Sequence, residues 1–305
     1  MTNGLVVVDK PAGCTSHDVV GRCRRIFGQR RVGHAGTLDP DATGVLLVGL
    51  GRATRLLQFL TGLPKTYTAE VVMGVATSTL DGSGQVTGRW DMTHIALADV
   101  RSVAAGLTGT IAQIPPMVSA LKVGGRRLHE LARAGVEVER APRTVVVHRF
   151  DVNSPGVPTA PDVPTEVGDA GGGPVFAIVV ECSSGTYVRT LAADLGVALG
   201  GGAYLRGLRR RAVGPFHEDE ATPLDTLGTA SVIDPAGALR GMPAMRVGAD
   251  VAGAVAHGKV LDLGVLGVAG PGPWPILDPA GELLAVYQAH GDGRAKPVVV
   301  VAPAS

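Results

Sequence analysis

Apolar residues occur along the chain in runs and spacings that predict both strands and helices. Short apolar runs bounded by turn residues are typical of buried strands, and they occur at residues 5–8, 43–50, 67–75, 143–152 and 175–181. Apolar residues three and four positions apart predict amphipathic helices, and this spacing occurs at residues 19–27 after a possible Ser16 cap, 53–60, 97–107, 128–134 and 188–199. The sequence therefore predicts a globular chain of mixed strands and helices.

Two segments depart from this pattern. Residues 153–174 are rich in Pro, Gly, Asp and Thr and have little to bury, which predicts a disordered loop inserted between two strands. After Pro243 short apolar runs alternate with Gly and Pro, which is typical of a small β-barrel-like domain. We therefore expect two domains, residues 1–240 and 241–305.

Charge is distributed unevenly although the net charge is only +1 over 305 residues. Basic residues form three clusters: Arg22, Arg24, Arg25, Arg30 and Arg31; Lys122, Arg126, Arg127, Arg133, Arg140 and Arg143; and Arg206, Arg209, Arg210 and Arg211. Each cluster alone is explained as well by a solvated surface as by a binding surface. Three arginine-rich clusters, balanced by acids elsewhere, favour a surface that binds a polyanion.

Several classes of site and location are excluded by the motifs that the sequence lacks. Cys14, Cys23 and Cys182 fit neither zinc spacing nor a disulfide framework, and their odd number points to a reducing compartment. The apolar run at residues 5–8 is too short for a signal peptide or membrane span. No phosphate-binding loop, dinucleotide fingerprint or zinc deaminase motif is present. We expect a cytoplasmic protein without metal, nucleotide cofactor or membrane contact.

Residues 33–44 hold a histidine, two carboxylates and three glycines in one short segment. Asp39 precedes a proline, which disfavours the helical region and holds the residue in an extended or turn conformation. Most Asp-Pro pairs only satisfy local amides. A carboxylate presented in one orientation also suits a nucleophile or general base.

The pattern Gly-His-x-Gly-Thr-Leu-Asp-Pro-x-Ala-x-Gly-x-Leu at residues 33–46 resembles the signature of the bacterial tRNA pseudouridine-55 synthases of the TruB type. The resemblance covers residues 4–240 apart from the inserted loop. It implies an α+β pseudouridine-synthase fold with a mixed, largely antiparallel sheet. It also implies a C-terminal RNA-binding domain of the PUA type.

The resemblance implies roles for three catalytic residues. Asp39 matches the catalytic aspartate of the family. Arg189, in the segment Gly-Thr-Tyr-x-Arg, matches the arginine that pairs with that aspartate and keeps it ionised. Tyr67, in the segment Lys-x-Tyr, matches the tyrosine that stacks on the target uracil.

Further residues are expected, by the same resemblance and by the basic clusters, to bind the substrate: His34, Leu208, Lys10, Lys122, Arg126, Arg209 and Arg210. The sequence departs from the family pattern at Ser78, where relatives usually carry an aspartate, and near Ser83, where they often carry another acid. The frame Thr-x-Thr-x-Asp, ending at Asp81, is retained.

The resemblance implies an isomerase that flips the position-55 uridine out of the tRNA T-arm and converts it to pseudouridine. It implies a monomer that needs neither cofactor nor guide RNA and that also assists tRNA folding. The sequence leaves open whether Asp39 attacks the sugar, attacks the ring or removes a sugar proton. The alternatives are a non-catalytic tRNA-binding or folding protein and a guide-RNA-dependent synthase.

Overall fold

The chain forms an α+β structure. The computed structural model describes residues 1–119, 121–123, 125–128, 131, 136, 138–154 and 173–301, with the backbone alone at 122, 123 and 127. The helices are α1 Ser16–Ile26, α2 Leu57–Leu60, α3 Leu97–Gly106, α4 Val188–Ala198, α5 Ala249–Ala256 and α6 Leu263–Leu266. The strands are β1 Gly4–Lys10, β2 Val32–Ala35, β3 Thr43–Leu50, β4 Lys65–Met73, β5 Val75–Thr77, β6 Val86–Arg89, β7 Gly109–Gln113, β8 Lys122–Val123, β9 Arg126–Arg127, β10 Arg143–Asn153, β11 Val175–Cys182, β12 Ala203–Val213, β13 Phe216–His217, β14 Thr222–Pro223, β15 Met245–Arg246, β16 Leu261–Asp262, β17 Trp274–Leu277, β18 Leu283–Ala289 and β19 Arg294–Val300.

The chain divides into two compact units. The first comprises Met1–Pro40, Val45–Gly62 and Val213–Ser305. Its strands follow the order β14-β1-β3, with β1 parallel to β14 and β2 antiparallel to β3. Helix α1 buries Val19, Val20 and Cys23 in the same apolar cluster as strand residues of β1 and β3. This packing fixes α1 beside the segment that joins β2 to β3.

The second unit comprises Asp41–Gly44 and Leu63–Ala212. Its strands follow the order β12-β4-β11-β10-β7, and the pairs β4/β11, β10/β11 and β7/β10 are antiparallel. The first two residues of β3, Thr43 and Gly44, pair in parallel with Arg209 and Arg210 of β12. The expectation of a mixed, largely antiparallel sheet is confirmed.

Strands β15 to β19 form a separate, curled sheet in the order β15-β17-β18-β19-β16. Trp274, Ile276 and Tyr287 are central to an apolar cluster that draws only on residues 245–300. Two arginines from the 3-10 segment Gly51–Leu56 donate to the end of this sheet: Arg52 to the carbonyl of Val301 (3.2 Å) and Arg55 to that of Val300 (2.8 Å).

Some predicted elements differ from those observed. Residues 53–60 were expected to form one helix, but they divide between a 3-10 segment and the single turn of α2. The helix cap before α1 is Thr15 rather than Ser16, because the Thr15 side chain accepts from the amide of Asp18. Most of the predicted helix at 128–134 and residues 155–172 of the inserted loop lie outside the described residues.

The described residues contain neither a candidate membrane-spanning helix nor a candidate metal-binding group. No helix in this part of the chain is long and apolar enough to cross a bilayer. Within the same residues no group of three or more His, Cys, Asp or Glu side chains is arranged to hold a metal ion.

Candidate active site

The turn that carries Asp39 is held at the residues on both sides of it. Asp39 is half-buried between β2 and β3. On one side, the Ser16 hydroxyl accepts from the Leu38 amide (2.9 Å) and donates to the Leu38 carbonyl (3.2 Å). On the other, Lys10 Nζ donates to the Pro40 carbonyl (2.8 Å) and to that of Pro11 (2.8 Å). These contacts give the carboxylate a defined backbone position.

Helix α1 supplies one of these anchors because its start is itself fixed. Thr15 and Asp18 form a capping box, in which Asp18 accepts from the Thr15 amide (2.9 Å) and Thr15 accepts from the Asp18 amide (3.1 Å). Ser16 follows as the first helical residue and is buried. Its hydroxyl therefore reaches Leu38 from a fixed point of the fold.

The last glycine of the signature, Gly44, has a steric role. Its φ is +98°, and a Cβ at this position would lie 2.2 Å from the Arg210 carbonyl oxygen. Only glycine adopts this conformation without strain and admits the backbone of β12 so closely. The segment after Asp39 is thereby joined directly to the strand that carries Leu208, Arg209 and Arg210.

Arg189, in the first turn of α4, is buried and held by three oxygen atoms of the second unit. Its Nη1 donates to the Thr79 carbonyl (2.8 Å) and its Nη2 to the Val118 carbonyl (2.9 Å). Asp81 Oδ2 lies 3.4 Å from Nη1 as an ion-pair partner. Gln113 fixes the start of α4 by accepting from the Tyr187 amide (2.8 Å) and donating to its carbonyl (3.1 Å).

Asp81 organises the loop that contains Thr79 and Ser83. Its Oδ1 accepts from the hydroxyls of Thr79 (2.5 Å) and Ser83 (2.6 Å) and from the Ser83 amide (3.1 Å). Thr77, which is buried, donates to the Asp81 carbonyl (2.7 Å). Ser83 thus serves as a hydrogen-bond donor to one oxygen of Asp81, and the other oxygen of Asp81 remains directed to Arg189.

Tyr67 and Leu208 lie at the same level of two neighbouring strands. Arg206 of β12 donates to Glu70 of β4 (2.7 Å), and Arg210 of β12 lies close enough to Lys65 of β4 to influence its charge. Glu70 comes later in β4 than Lys65, whereas its partner Arg206 comes earlier in β12 than Arg210. The two strands therefore run antiparallel. Tyr67, buried, and Leu208, half-buried, both fall between these two contacts.

Lys65 and Arg210 are buried cations, and their surroundings lower the pKa of Lys65. Burial lowers the pKa of Lys65 to about 8, and the positive charge of Arg210 lowers it further. Lys65 Nζ donates to the Leu63 carbonyl (2.7 Å). Arg210 is only 1% exposed. Burial also raises the pKa of the Cys182 thiol to about 11, so this cysteine stays protonated at neutral pH.

The other residues expected to bind substrate lie at several places in the two units. His34 is half-buried on β2, where it pairs with Val48 of β3. Arg126 is exposed in the hairpin of β8 and β9, in which the backbone of Lys122 pairs with Arg127. The Lys122 side chain lies outside the description. Arg209 is half-buried on β12.

The structure adds three residues to the site residues expected from the sequence: Ser16, Asp81 and Gln113. Each is a polar side chain that holds a backbone or an arginine through contacts distant in sequence, and no local pattern marks these contacts for Ser16 and Gln113. The retained Thr-x-Thr-x-Asp frame was the one available signal for Asp81. The pairing of Asp39 with Arg189 concerns residues of the two different units and stays a prediction.

Comparison with known sequences identifies the family. The model of the TruB family pseudouridylate synthase N-terminal domain matches residues 24–188. Models of the tRNA pseudouridylate synthase B C-terminal domain and of the tRNA pseudouridine synthase II C-terminus match residues 189–240 and 242–302. Proteins named tRNA pseudouridine synthase B are 47% identical in Rhodococcus jostii, covering 99% of this chain and 95% of that protein, and 44% identical in Thermobifida fusca, covering 99% of both.

Solved structures agree on the fold. A chain of an H/ACA RNP bound to a substrate RNA containing 2'-deoxyuridine superposes with a TM-score of 0.70 at 23% identity, covering 98% of this chain and 85% of that one. A chain of a Cbf5-Nop10-Gar1 complex superposes with a TM-score of 0.68 at 26% identity, covering 99% and 84%. From the sequence models and the full-length relatives together, the chain belongs to the TruB family of pseudouridylate synthases and is an isomerase.

Proposed function

We propose that the chain converts a uridine of tRNA to pseudouridine, and that its target is the T-loop uridine at position 55. The observation that carries this proposal is the anchored turn of Asp39, which lies within the family signature and has both neighbouring residues fixed by Ser16 and Lys10. The relatives at 44–47% identity are named tRNA pseudouridine synthase B. Their names support tRNA as the substrate.

The reaction begins when the target base leaves its stack, at a cost of a few kcal/mol that is smallest in single-stranded loops. Tyr67 stacks on the uracil and Leu208 packs beside it, which agrees with their shared level on β4 and β12. Asp39 acts on the nucleotide, the N1–C1′ bond breaks, and the uracil rotates. A C5–C1′ bond then forms, C5 loses its proton and N1 gains one.

Arg189 is proposed to pair with Asp39, keeping it ionised and oriented. Its position is supported by the three oxygen contacts that hold its guanidinium from Thr79, Val118 and Asp81. A buried cation so closely held loses little entropy when it binds a carboxylate. Asp81 is then a positioning residue for Arg189.

The RNA is proposed to bind through four residues, His34, Lys122, Arg126 and Arg209, by contacts to phosphates and to the extruded nucleotide. Lys10 and Arg210 were expected to join them, but both are at most 1% exposed. We assign these two a supporting role. Lys10 holds the Asp39 turn, and Arg210 holds the junction of β3 and β12.

The enzyme is proposed to act as a monomer in the cytoplasm, on the T-arm, without cofactor or guide RNA. Size-exclusion chromatography with light scattering tests the monomer.

We also propose domains at residues 1–240 and 241–305, the second being the PUA-type RNA-binding domain. The separate apolar cluster of residues 245–300 and the family-model boundary between 240 and 242 support this division.

Tritium release from a tRNA transcript labelled at uridine C5 tests the reaction, with no metal and no guide RNA added. Wild-type protein should release one equivalent of tritium per tRNA. Asp39→Asn should release none, because the amide of asparagine lacks the negative charge of the carboxylate. It should still bind tRNA, because asparagine keeps the shape of the side chain. Binding without release by the wild-type protein would instead identify a tRNA-binding or folding protein.

Altered substrates test the position and the recognised arm. A transcript with cytidine at position 55 should release no tritium, and an isolated T-arm stem-loop should react. Release from the cytidine transcript would place the target elsewhere in the tRNA. A wild-type protein that reacts only after a guide RNA is supplied would show the guide-dependent alternative to be correct.

A further inference from the structure

The Ser16 hydroxyl contacts both polar backbone atoms of Leu38. It accepts from the amide at 2.9 Å and donates to the carbonyl oxygen at 3.2 Å. A hydroxyl has one donor and two acceptor sites, so it can make both bonds at once. Ser16 and Leu38 are 2% and 4% exposed, so water does not readily replace either bond. One buried side chain thus fixes the two peptide groups on either side of the Leu38 Cα, the second of which directly precedes Asp39.

Leu38 has no strand ladder to hold it. It lies after β2 ends at Ala35 and before β3 begins at Thr43. A buried backbone group outside regular structure needs a side-chain or water partner. The Leu38 amide obtains that partner from a residue 22 positions earlier in the chain.

Ser16 in turn cannot shift independently of the fold. It is the first residue of α1, directly after the Thr15 cap, and α1 is anchored by the buried side chains of Val19, Val20 and Cys23. The hydroxyl therefore transfers the rigidity of a packed helix to the Asp39 turn. The Lys10 ammonium does the same from β1 for the residue that follows Asp39.

We propose that Ser16 is a positioning residue for catalysis, which sets the orientation of the Asp39 carboxylate through the Leu38 backbone. This inference rests on the proposed role of Asp39. Misplacement of a reacting group by about 1 Å can cost about a hundredfold in rate. Loss of the hydroxyl should therefore lower kcat for tritium release by about tenfold or more, and leave KM for tRNA within about twofold.

Ser16→Ala is compared with Ser183→Ala, which removes another serine hydroxyl that accepts from a backbone amide distant in sequence. The Ser183 hydroxyl accepts from the Val146 amide at 2.9 Å, the same distance as that between the Ser16 hydroxyl and the Leu38 amide. Both variants are assayed at the same margin below their melting temperatures. We expect Ser16→Ala to lose kcat and Ser183→Ala to retain it. Equal kcat in the two variants, or an effect of Ser16→Ala on KM alone, would overturn the proposal.

A second pair of variants keeps the test valid if Ser16→Ala does not fold. Threonine and valine have the same shape and differ by the hydroxyl, so Ser16→Thr should exceed Ser16→Val in kcat by about tenfold. Equal rates for this pair would also refute the role of the hydroxyl. Asp39→Asn, assayed in parallel, separates the two proposals. An active Asp39→Asn contradicts the function of Asp39, whereas an inactive Asp39→Asn beside a fully active Ser16→Ala contradicts only the role of Ser16.

Discussion

Arg189 and Asp81 show how a single ion pair can be made specific. The guanidinium is planar and forked, so its two terminal nitrogens face different oxygen atoms. The Thr79 carbonyl and the Asp81 carboxylate lie at Nη1, and the Val118 carbonyl lies at Nη2. A lysine has no such fork and cannot satisfy the same set of oxygen atoms. The position of Arg189 is therefore set by the loop around Asp81 as well as by α4.

We predict that Asp81→Asn lowers kcat by about tenfold, a cost of about 1.4 kcal/mol, because the Arg189 guanidinium loses the charge of its ion-pair partner. Affinity for tRNA should change little. Rapid-quench tritium release and filter binding measure the two quantities.

Asp91→Asn is the matched control for this change. Asp91 accepts from the amide and hydroxyl of Thr93 just as Asp81 accepts from those of Ser83, but its described contacts include no arginine. The Asp91→Asn variant should turn over tRNA at the wild-type rate. If both variants lose activity equally, the loss reflects the turn rather than the ion pair.

Lys65 makes stability depend on pH in a defined direction. Its pKa falls from 10.5 to about 8 in the folded chain, first because of burial and second because of Arg210. Between these two values the unfolded chain binds a proton that the folded chain has released, so the free energy of unfolding rises with pH. Below about pH 8 both states are protonated, and the cost of burying the charged ammonium is fully present.

We predict that the difference in unfolding free energy between wild type and Lys65→Met shifts in favour of wild type by about 1 kcal/mol from pH 8 to pH 9. Urea unfolding at pH 7, 8 and 9 measures it. Methionine keeps the length of the side chain but does not titrate, so the titration of Cys23 and most other groups cancels in the difference. A difference that stays flat or falls over this range would mean that Lys65 remains solvated.

At the scale of elements, the junction of β3 and β12 depends on one glycine. Gly44 combines a φ of +98° with a separation of 2.2 Å between its virtual Cβ and the Arg210 carbonyl oxygen. We predict that Gly44→Ala destabilises the protein by at least about 2 kcal/mol, because left-handed strain and a backbone clash both oppose the methyl group. Activity should fall as well, since β12 carries Leu208.

Gly21→Ala provides the contrast. Gly21 lies inside α1, and among the described residues a Cβ there would meet no atom within 4 Å apart from its chain neighbours and the backbone of its own helix. Replacement by alanine should raise stability by about 0.5–1 kcal/mol, the usual gain at a helical glycine. Thermal unfolding of both variants provides the measurement. A Gly44→Ala protein as stable as the wild type would show that β3 can withdraw from β12.

The elements that the sequence predicted well are those defined by apolar runs. The run at residues 43–50 coincides with β3, and the periodic segment at 188–199 with α4 to within one residue. Strand β12 was not predicted, because four arginines interrupt its apolar pattern. Burial of Arg210 could not be foreseen either, since it depends on the tertiary neighbours of that strand.

The candidate site was predictable only in part, for the same physical reason. Asp39, Tyr67 and Arg189 lie in local motifs, so a resemblance could name them. Ser16 and Gln113 act through backbone groups 22 and 74 positions away, and such contacts leave no periodic signal. Periodicity reports which face of an element is buried, whereas the support of a site depends on which elements meet.

At the scale of the whole molecule, charge is nearly balanced, so RNA affinity must come from its distribution. With a net charge of +1, long-range attraction to tRNA is weak, and the exposed arginines of the clusters have to supply local phosphate contacts. Neutralising one phosphate releases condensed counterions. The slope of log affinity against log salt therefore counts such contacts.

We predict that Arg126→Gln, in the exposed hairpin of β8 and β9, lowers the magnitude of that slope by about 1. Arg149→Gln removes the same charge from an exposed position on β10, outside the three clusters, where the arginine pairs with Asp151. It should leave the slope unchanged. Fluorescence anisotropy of labelled tRNA between about 50 and 200 mM salt covers the range in which phosphate contacts dominate. Equal changes in the two variants would mean that tRNA responds to total charge, and that the clusters in the sequence do not mark the binding surface.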